Sequence, residues 1–216
     1  DKSFGADGMV VKNDIAKITD LKGKTVAASA PGTAPYFTLA WMLKKNGMST
    51  KDVKIVNLEP QAAANAMIAG NAGLDAALTY EPYLSAVRAK PEAGKIIATT
   101  LDYPMIMDTF GCVPKFLADN PKAAKAIADS YFEAVEMISK EPKRSFEIMG
   151  ADVKQSGEAF EASQKYLRWQ DRAANLKFFS GEHAQFSKEA ADLLLEAGII
   201  KQLPDMSKLA DTRFIR

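Results

Sequence analysis

The chain has 216 residues, 47% of them hydrophobic, and carries 28 Lys and Arg residues against 27 Asp and Glu residues. A chain of this length and composition can bury a core, so we predict a globular protein. The formal net charge of +1, without a basic run, argues against nucleic acid or an anionic membrane surface as a partner. No apolar stretch approaches the roughly 20 residues of a membrane-spanning helix.

The first part of the chain alternates short apolar runs with helical patterns. The predicted strands are 24–29, 53–58, 74–80 and 95–100, and the predicted helices are 34–46, 62–69 and 82–90. Strands that alternate with helices form a mostly parallel sheet with helices on its faces, so the fold class is α/β. Two further stretches, 6–12 and 109–115, read as extended and bracket this part.

The chain from Pro121 onward is predicted to be helical. Three helical stretches are expected, at 121–142, 157–167 and 181–198. Helices of this kind need a sheet to pack against, and the chain barely supplies one. We therefore expect that a segment upstream of this sequence is missing.

The segment ASAPGTAPYF at 28–37 joins a predicted strand to a helix. The first amides of such a helix have no intrahelical acceptor, and together with the helix dipole they favour small anions. Gly32 allows close approach to the backbone, and the hydroxyl of Ser29 or Thr33 could either cap the helix or donate to an oxyanion. The simpler alternative is that Thr33 is only an N-cap and Gly32 only a turn residue. The segment has neither the Gly-Lys-Ser/Thr of a phosphate-binding loop nor a dinucleotide fingerprint.

A second candidate element is Tyr80-Glu81-Pro82, which follows the predicted strand 74–80. The carboxyl edge of a parallel sheet is where open α/β folds usually bind ligands. An aromatic side chain beside a carboxylate suits an ammonium, amide or amidinium group. The alternative is a half-buried Tyr80 and an exposed Glu81 that merely begins a helix.

Three other residues are predicted to be structural. His183 is the single histidine and has no Cys or second His nearby in the sequence, so we predict neither a metal ligand nor a general base. Cys112, the single cysteine, is expected to be buried and inert in an apolar strand. Trp169 is expected on the inward face of a helix, with a contribution to a ligand cleft as the alternative.

An ordered set of elements resembles the periplasmic substrate-binding proteins of ABC importers in the nitrate/sulfonate/taurine group, which includes binders of thiamine precursors. The matching elements are Asp20-Leu21-Lys22-Gly23-Lys24, the Gly-Thr loop with Tyr36, Ala69-Gly70, Leu74-Asp75-Ala76-Ala77, Tyr80-Glu81-Pro82 and the closing LADTRFI. The chain departs from the group at Pro35 and in the longer connection AGNAGLDAA.

The resemblance implies the type II-like fold of periplasmic binding proteins, with two lobes and a hinge of crossover strands. Lobe one would contain 1–11 and 109–216 with the C-terminal helices, and lobe two would be 12–108. Family members usually carry a further first part of lobe one, which agrees with the expected missing segment.

We hypothesise that eight residues bind the ligand. Gly32, Thr33, Ala34 and Tyr36 would present donors to its anionic or carbonyl end. Tyr80 and Glu81 would hold the other end, which favours a zwitterion. Asp7 and Asp108 would add negative charge beside the hinge, although turn formation is the alternative role for both.

The function implied by the resemblance is delivery of a sulfonate, taurine or related small compound to the permease of an ABC importer. The protein would be a monomer, periplasmic or lipid-anchored, and neither an enzyme nor dependent on a cofactor or metal. The alternatives are the effector-sensing domain of a bacterial transcription regulator and a binding protein for a thiamine precursor. A scaffold-like fragment without a ligand also remains open.

Overall fold

A computed structural model describes residues 1–216, which form two compact units. The larger unit contains Ser3–Ile106 and Ala191–Leu203, and the smaller unit contains Asp1–Lys2, Met107–Ala190 and Pro204–Arg216.

The larger unit is built on a five-stranded mixed sheet. Its strands are β2 (Asp7–Val11), β3 (Thr25–Ala28), β4 (Lys54–Asn57), β5 (Ala76–Tyr80) and β6 (Lys95–Thr99), in the order β4-β3-β5-β2-β6. β3 pairs in parallel with both β4 and β5, whereas β2 runs antiparallel to β5 and β6. The four strands predicted between 24 and 100 are confirmed, but the sheet is mixed because β2 is inserted in it with the opposite direction.

Three helices follow the parallel strands of this sheet. They are α1 (Ala34–Lys45), α2 (Pro60–Ile68) and α3 (Tyr83–Arg88), and each lies within two residues of its predicted start. The sheet strands are almost wholly apolar toward these helices, with Val10, Ala27 and Ala77 fully buried. The strands β2, β3 and β5 are largely buried, whereas the edge strand β4 is mostly exposed. The carboxyl ends of β3, β4 and β5 lie at one edge of the sheet, which is where open α/β folds usually bind ligands.

The compact units differ in three places from the predicted lobes. Residues 3–11 belong to the larger unit, where β2 is hydrogen-bonded between β5 and β6, and residues 107–108 belong to the smaller one. Segment 191–203 also belongs to the larger unit, and Glu196 forms an ion pair with Lys44 of α1 at 2.5 Å. The assignment of these segments to two lobes stays a prediction.

The smaller unit is mainly helical. Its helices are α4 (Pro114–Asp119), α5 (Pro121–Lys140), α6 (Pro142–Asp152), α7 (Gly157–Gln164), α8 (Arg172–Lys177), a π-helical turn (Phe178–Glu182) and the first part of α9 (His183–Glu196). Two short strands, β1 (Lys2–Ser3) and β7 (Leu167–Arg168), form a second sheet. The three helical stretches predicted beyond Pro121 are present, although the second ends at Gln164 and is followed by β7 where helix was expected. The helices α6 and α8 are additional, and Pro142 begins α6 rather than only ending α5.

Three predictions for this part of the chain are wrong. Residues 108–113 form no strand, and Pro114 then begins a helix. Cys112 is consequently exposed instead of buried. Trp169 follows β7 in an irregular segment and is half-buried, not part of a helix, because the preceding helix has already ended at Gln164.

Buried apolar residues are concentrated in the larger unit. Ala124 and Phe146 are the only hydrophobic residues of the smaller unit that are buried. Phe110, Val113 and Ile148 remain largely exposed. The smaller unit therefore has little core of its own, in keeping with the expectation that its helices need further structure to cover them.

Candidate functional site

The loop between β3 and α1 turns at Gly32 and leads into the N-terminus of α1. Gly32 has a φ of +91°, a conformation that side chains with a Cβ rarely adopt. The first helical hydrogen bond is donated by the Phe37 amide to the Thr33 carbonyl oxygen at 3.0 Å. The amides of Ala34 and Tyr36 therefore precede the helical ladder, at the positive end of the dipole. Pro35 has no N–H and removes one donor from this set.

The two hydroxyls near the loop make local contacts. Thr33 is at the N-cap position, but its hydroxyl donates to the carbonyl oxygen of Ala30 at 2.8 Å and makes no capping bond. Ser29 is buried and donates to a carboxylate oxygen of Glu59 at 3.4 Å. Neither hydroxyl caps α1, so the helix N-terminus keeps its unpaired amides.

Tyr36 contributes to this site through its backbone. Its side chain is only 8% exposed and belongs to the core of the larger unit. Gly32, Thr33, Ala34 and Tyr36 are thus placed together on one short loop, but both donors of Thr33 are used there, because its amide also donates to the Ala30 carbonyl oxygen at 3.2 Å. Their role in binding a ligand stays a prediction.

Tyr80 ends β5 at the same edge of the sheet. The register of β2 and β5 places Asp7 directly opposite Tyr80, and the ring of Tyr83 lies 5.8 Å from that of Tyr80. The Tyr80 side chain remains 38% exposed. Burial raises the pKa of the Tyr80 phenol above its usual value, and the neighbouring Tyr83, Glu59 and Asp7 raise it further.

The carboxylate of Glu81 is directed into the protein. Only 7% of its side chain is exposed, and one oxygen accepts an ion-paired hydrogen bond from Arg88. The other oxygen accepts from the amide of Ser85 at 3.0 Å, in the first turn of α3. The alternative of an exposed helix-start carboxylate is therefore wrong, because two partners within α3 hold the side chain down.

The two aspartates predicted to flank the hinge lie in different units. Asp7 begins β2 in the larger unit, and its carbonyl oxygen accepts from the amide of Thr100 at 3.0 Å. Asp108 is exposed in the smaller unit, where its amide donates to the Asp1 carbonyl oxygen at 3.1 Å. Seven of the eight predicted residues thus belong to the larger unit, and Asp108 does not.

Sequence reasoning missed Glu59. This residue follows β4 and precedes Pro60, the first residue of α2, as Glu81 follows β5 and precedes Pro82. The hydroxyl of Thr79 in β5 donates to the Pro60 carbonyl oxygen at 2.9 Å, which ties the start of α2 to the end of β5. The repeated strand-Glu-Pro pattern was the signal that could have found it.

A cavity of about 630 Å³ lies in the smaller unit, away from all the predicted residues of the larger one. It lies between α5 and the segment 169–172, and the indole N–H of Trp169 in its wall is buried without a hydrogen-bond partner. The guanidinium of Arg172 in the same wall pairs with Asp129 at 2.8 Å and lies 4.3 Å from the Phe132 ring centre. Glu136 in the same wall pairs with Lys140 at 2.6 Å, so several of the charges that line this cavity are neutralised within the unit.

The structure contains no group of three or more His, Cys, Asp or Glu side chains placed to hold a metal ion. Its helices include none with the length and apolar character that crossing a membrane demands.

The fold belongs to the class of two-unit α/β proteins that includes periplasmic binding proteins. The periplasmic aliphatic sulphonate binding protein SsuA from Escherichia coli superimposes with a TM-score of 0.73 at 18% identity, over 94% of this chain and 64% of that one. The desulfurization enzyme DSZB superimposes with a TM-score of 0.59 at 13% identity, over 99% of this chain and 75% of that one.

The sequence assigns the chain to one family within this class of folds. Residues 4–149 match the profile of the NMT1-like family, and the chain belongs to that family. It is 30% identical over 145 residues to the taurine-binding periplasmic protein of Escherichia coli strain K12. This match covers 65% of this chain and 43% of the relative. The chain thus spans less than half the length of this curated relative. The resemblance drawn from the sequence is confirmed.

Proposed function

We propose that the protein binds a small sulfonate, of the taurine type, outside the cytoplasm and delivers it to the permease of an ABC importer. The observation that carries this proposal is the loop after β3, whose free amides and glycine turn lie at the carboxyl edge of the parallel strands in a chain of the NMT1-like family. The names of the taurine-binding and sulphonate-binding relatives support the choice of ligand.

The loop suits a sulfonate for physical reasons. The amides of Ala34 and Tyr36 can donate to two oxygens of one anion, and the dipole of the 12-residue helix α1 adds a favourable field. Gly32 lets the anion approach the backbone without a Cβ in the way. Hydrogen bonds to an ionised acceptor are roughly twice as strong as neutral ones, so a few amides suffice for selective binding.

Tyr80 and Asp7 are proposed to contact the rest of the ligand. An exposed aromatic face beside carboxylates favours a positively charged group over a second anion. Glu81 is proposed as a positioning residue, since its carboxylate is taken up by Arg88 and Ser85. A zwitterion is therefore preferred over nitrate.

The partner and the compartment are part of the proposal. We propose a periplasmic location or a lipid anchor, action as a monomer and docking on a membrane permease. The names of the periplasmic relatives support the periplasmic location. Asp108, in the smaller unit, is proposed as a further residue that adds negative charge for the ligand.

The experiment is a calorimetric titration of the full-length protein with taurine, ethanesulfonate, nitrate and urea. We expect taurine to bind with the highest affinity and ethanesulfonate more weakly. Tightest binding of nitrate would move the protein to another branch of the group. If none of the four binds, the sulfonate proposal is wrong, and the effector domain of a transcription regulator becomes the stronger alternative.

An enzymatic function has no comparable support. The similarity to the desulfurization enzyme is a similarity of fold at 13% identity. A cysteine nucleophile needs a base within hydrogen-bond reach. His183 contacts Ser187 at 3.3 Å and packs against Phe179, and it makes no contact with Cys112.

A further inference from the structure

Glu59 lies beside the candidate anion loop. The amide of Leu58 donates to the carbonyl oxygen of Ala28 at 3.2 Å, which holds the residues that follow β4 next to the end of β3. The buried hydroxyl of Ser29 then donates to the Glu59 carboxylate at 3.4 Å. The loop that offers amides to an anion and the carboxylate of Glu59 therefore begin on two adjacent strands.

The charge of Glu59 is not neutralised within the protein. The residue is exposed, its carboxylate forms no ion pair, and the Ser29 hydroxyl is its one hydrogen-bond partner. Glu81 is different, because Arg88 neutralises it and only 7% of its side chain is exposed. Each glutamate lies between a strand and a proline, with Leu58 as one extra residue before Glu59, yet only Glu59 has a carboxylate available to a ligand.

The negative charge of Glu59 also acts on the phenol of Tyr80. Burial and the neighbouring Tyr83 contribute most to raising the pKa of the Tyr80 phenol, and the negative charges of Glu59 and Asp7 contribute further in the same direction. The surroundings of Tyr80 are thus electronegative. A plain anion would be repelled there, whereas an ammonium group would be attracted to both the carboxylates and the ring face.

We infer that Glu59, and not Glu81, recognises the ammonium group of a zwitterionic ligand whose anionic group lies at the amides of Ala34 and Tyr36. This inference rests on the proposed function and assigns its specificity. Adjacent strands are about 4.8 Å apart, so a ligand that bridges the ends of β3 and β4 needs opposite charges only a few ångströms apart. A short amino-sulfonate meets that requirement, and a sulfonate without an amine leaves Glu59 facing apolar atoms.

The test compares taurine with ethanesulfonate, which lacks the amine, by calorimetry on the full-length protein. In Glu59→Gln we expect taurine affinity to fall about 10-fold or more, as for the loss of one charge-assisted hydrogen bond. Ethanesulfonate affinity should stay the same or rise, because a repelling charge has been removed. Glu59→Asp, which keeps the charge on a shorter side chain, should recover part of the taurine affinity.

The controls separate this inference from the proposed function. Glu92→Gln makes the same chemical change at an exposed position near Asn13, whose side chain bonds the Glu92 carbonyl oxygen at the opposite edge of the sheet, and should alter neither affinity. If Glu81→Gln selectively weakens taurine and Glu59→Gln does not, the assignment to Glu59 is wrong while the proposed function stands. Equal losses of both ligands in a Glu59→Gln protein with unchanged circular dichroism also overturn it. If the unmodified protein binds neither sulfonate, the proposed function and this inference fail together.

Discussion

Glu81, which lies just before α3, forms an ion pair with Arg88, the last residue of that helix. The Glu81 carboxylate is almost completely shielded from solvent. The same carboxylate accepts from the Ser85 amide, so it acts as an anchor for the helix that follows β5. The side chain that the sequence pattern offered most plainly to a ligand is therefore used inside the fold.

We predict that Arg88→Met lowers the free energy of unfolding of the larger unit by about 1–3 kcal/mol, because it leaves a shielded carboxylate without its cation. The double variant with Glu81→Gln should recover part of the loss. Urea unfolding followed by Trp41 fluorescence in a Trp169→Phe background reports this unit alone, since Trp41 and Trp169 are the two tryptophans. Equal stability of Arg88→Met and the parent protein would show that water replaces Arg88 at no cost.

Gly32→Ala should weaken ligand binding and cost about 1 kcal/mol of stability, because alanine at a φ of +91° is strained whatever the available space. A Cβ at Gly32 would lie 3.8 Å from Cγ2 of Ile199, so strain and not collision is the cause. Gly23→Ala is the matched control, with a φ of +74° and nothing within 4 Å of the added Cβ.

Both glycine variants should lose similar stability in urea unfolding, but only Gly32→Ala should lose affinity for taurine in calorimetry. Binding that is weakened to the same degree in Gly23→Ala would mean that general destabilisation, and not the shape of the loop, controls affinity.

The phenol of Tyr80 should titrate above the ordinary tyrosine pKa near 10. Because the folded state holds this proton more tightly than the unfolded state does, its contribution to stability is complete below pH 10. It is lost as the pH rises through the raised folded-state pKa. Carbon NMR of labelled tyrosine rings, with Tyr80→Phe to assign the signal, measures the midpoint.

Glu59→Gln should move that midpoint down toward the ordinary value, because it removes one of the negative charges that oppose the phenolate. The residual elevation reports burial and the other neighbours. An unchanged midpoint in Glu59→Gln would place its carboxylate farther from Tyr80 than the structure does.

Asp75 should make the larger unit sensitive to acid. Its carboxylate accepts from the Thr25 amide at 2.9 Å and pairs with Lys12 at 3.5 Å, and these contacts, the amide first, hold its pKa below the usual value. The stability that it contributes is present above pH 4 and is lost as the pH falls through the lowered folded-state pKa.

Asp75→Asn should therefore be less stable than the parent protein at pH 7, and the difference should shrink toward pH 2. Urea unfolding of both proteins at several pH values measures this. Asp14→Asn, at an exposed position, is the control and should show no such pH dependence. A difference between Asp75→Asn and the parent that is the same at all pH values would assign the effect to shape and not to charge.

Local pattern was sufficient for most of the larger unit and for the helical tail. Alternation of apolar runs with 3.6-residue periodicity predicted β3 to β6 and α1 to α3, and the proline and glycine boundaries predicted α5 and the end of α9. The loop of Gly32 was also evident, because glycine between a strand and a helix has few other uses. The ordered motifs were enough to identify the family.

Tertiary structure decided what sequence could not. The position and direction of β2 depend on long-range pairing with β5 and β6, which no local pattern encodes. The contrast between Glu59 and Glu81 has the same origin, since both precede a proline that begins or adjoins a helix. Only the presence of Arg88 seven residues after Glu81, and of Ser29 beside Glu59, makes one carboxylate internal and leaves the other available. The sequence shows which side chains are charged, but whether a charge is neutralised depends on which groups the fold brings within hydrogen-bond distance.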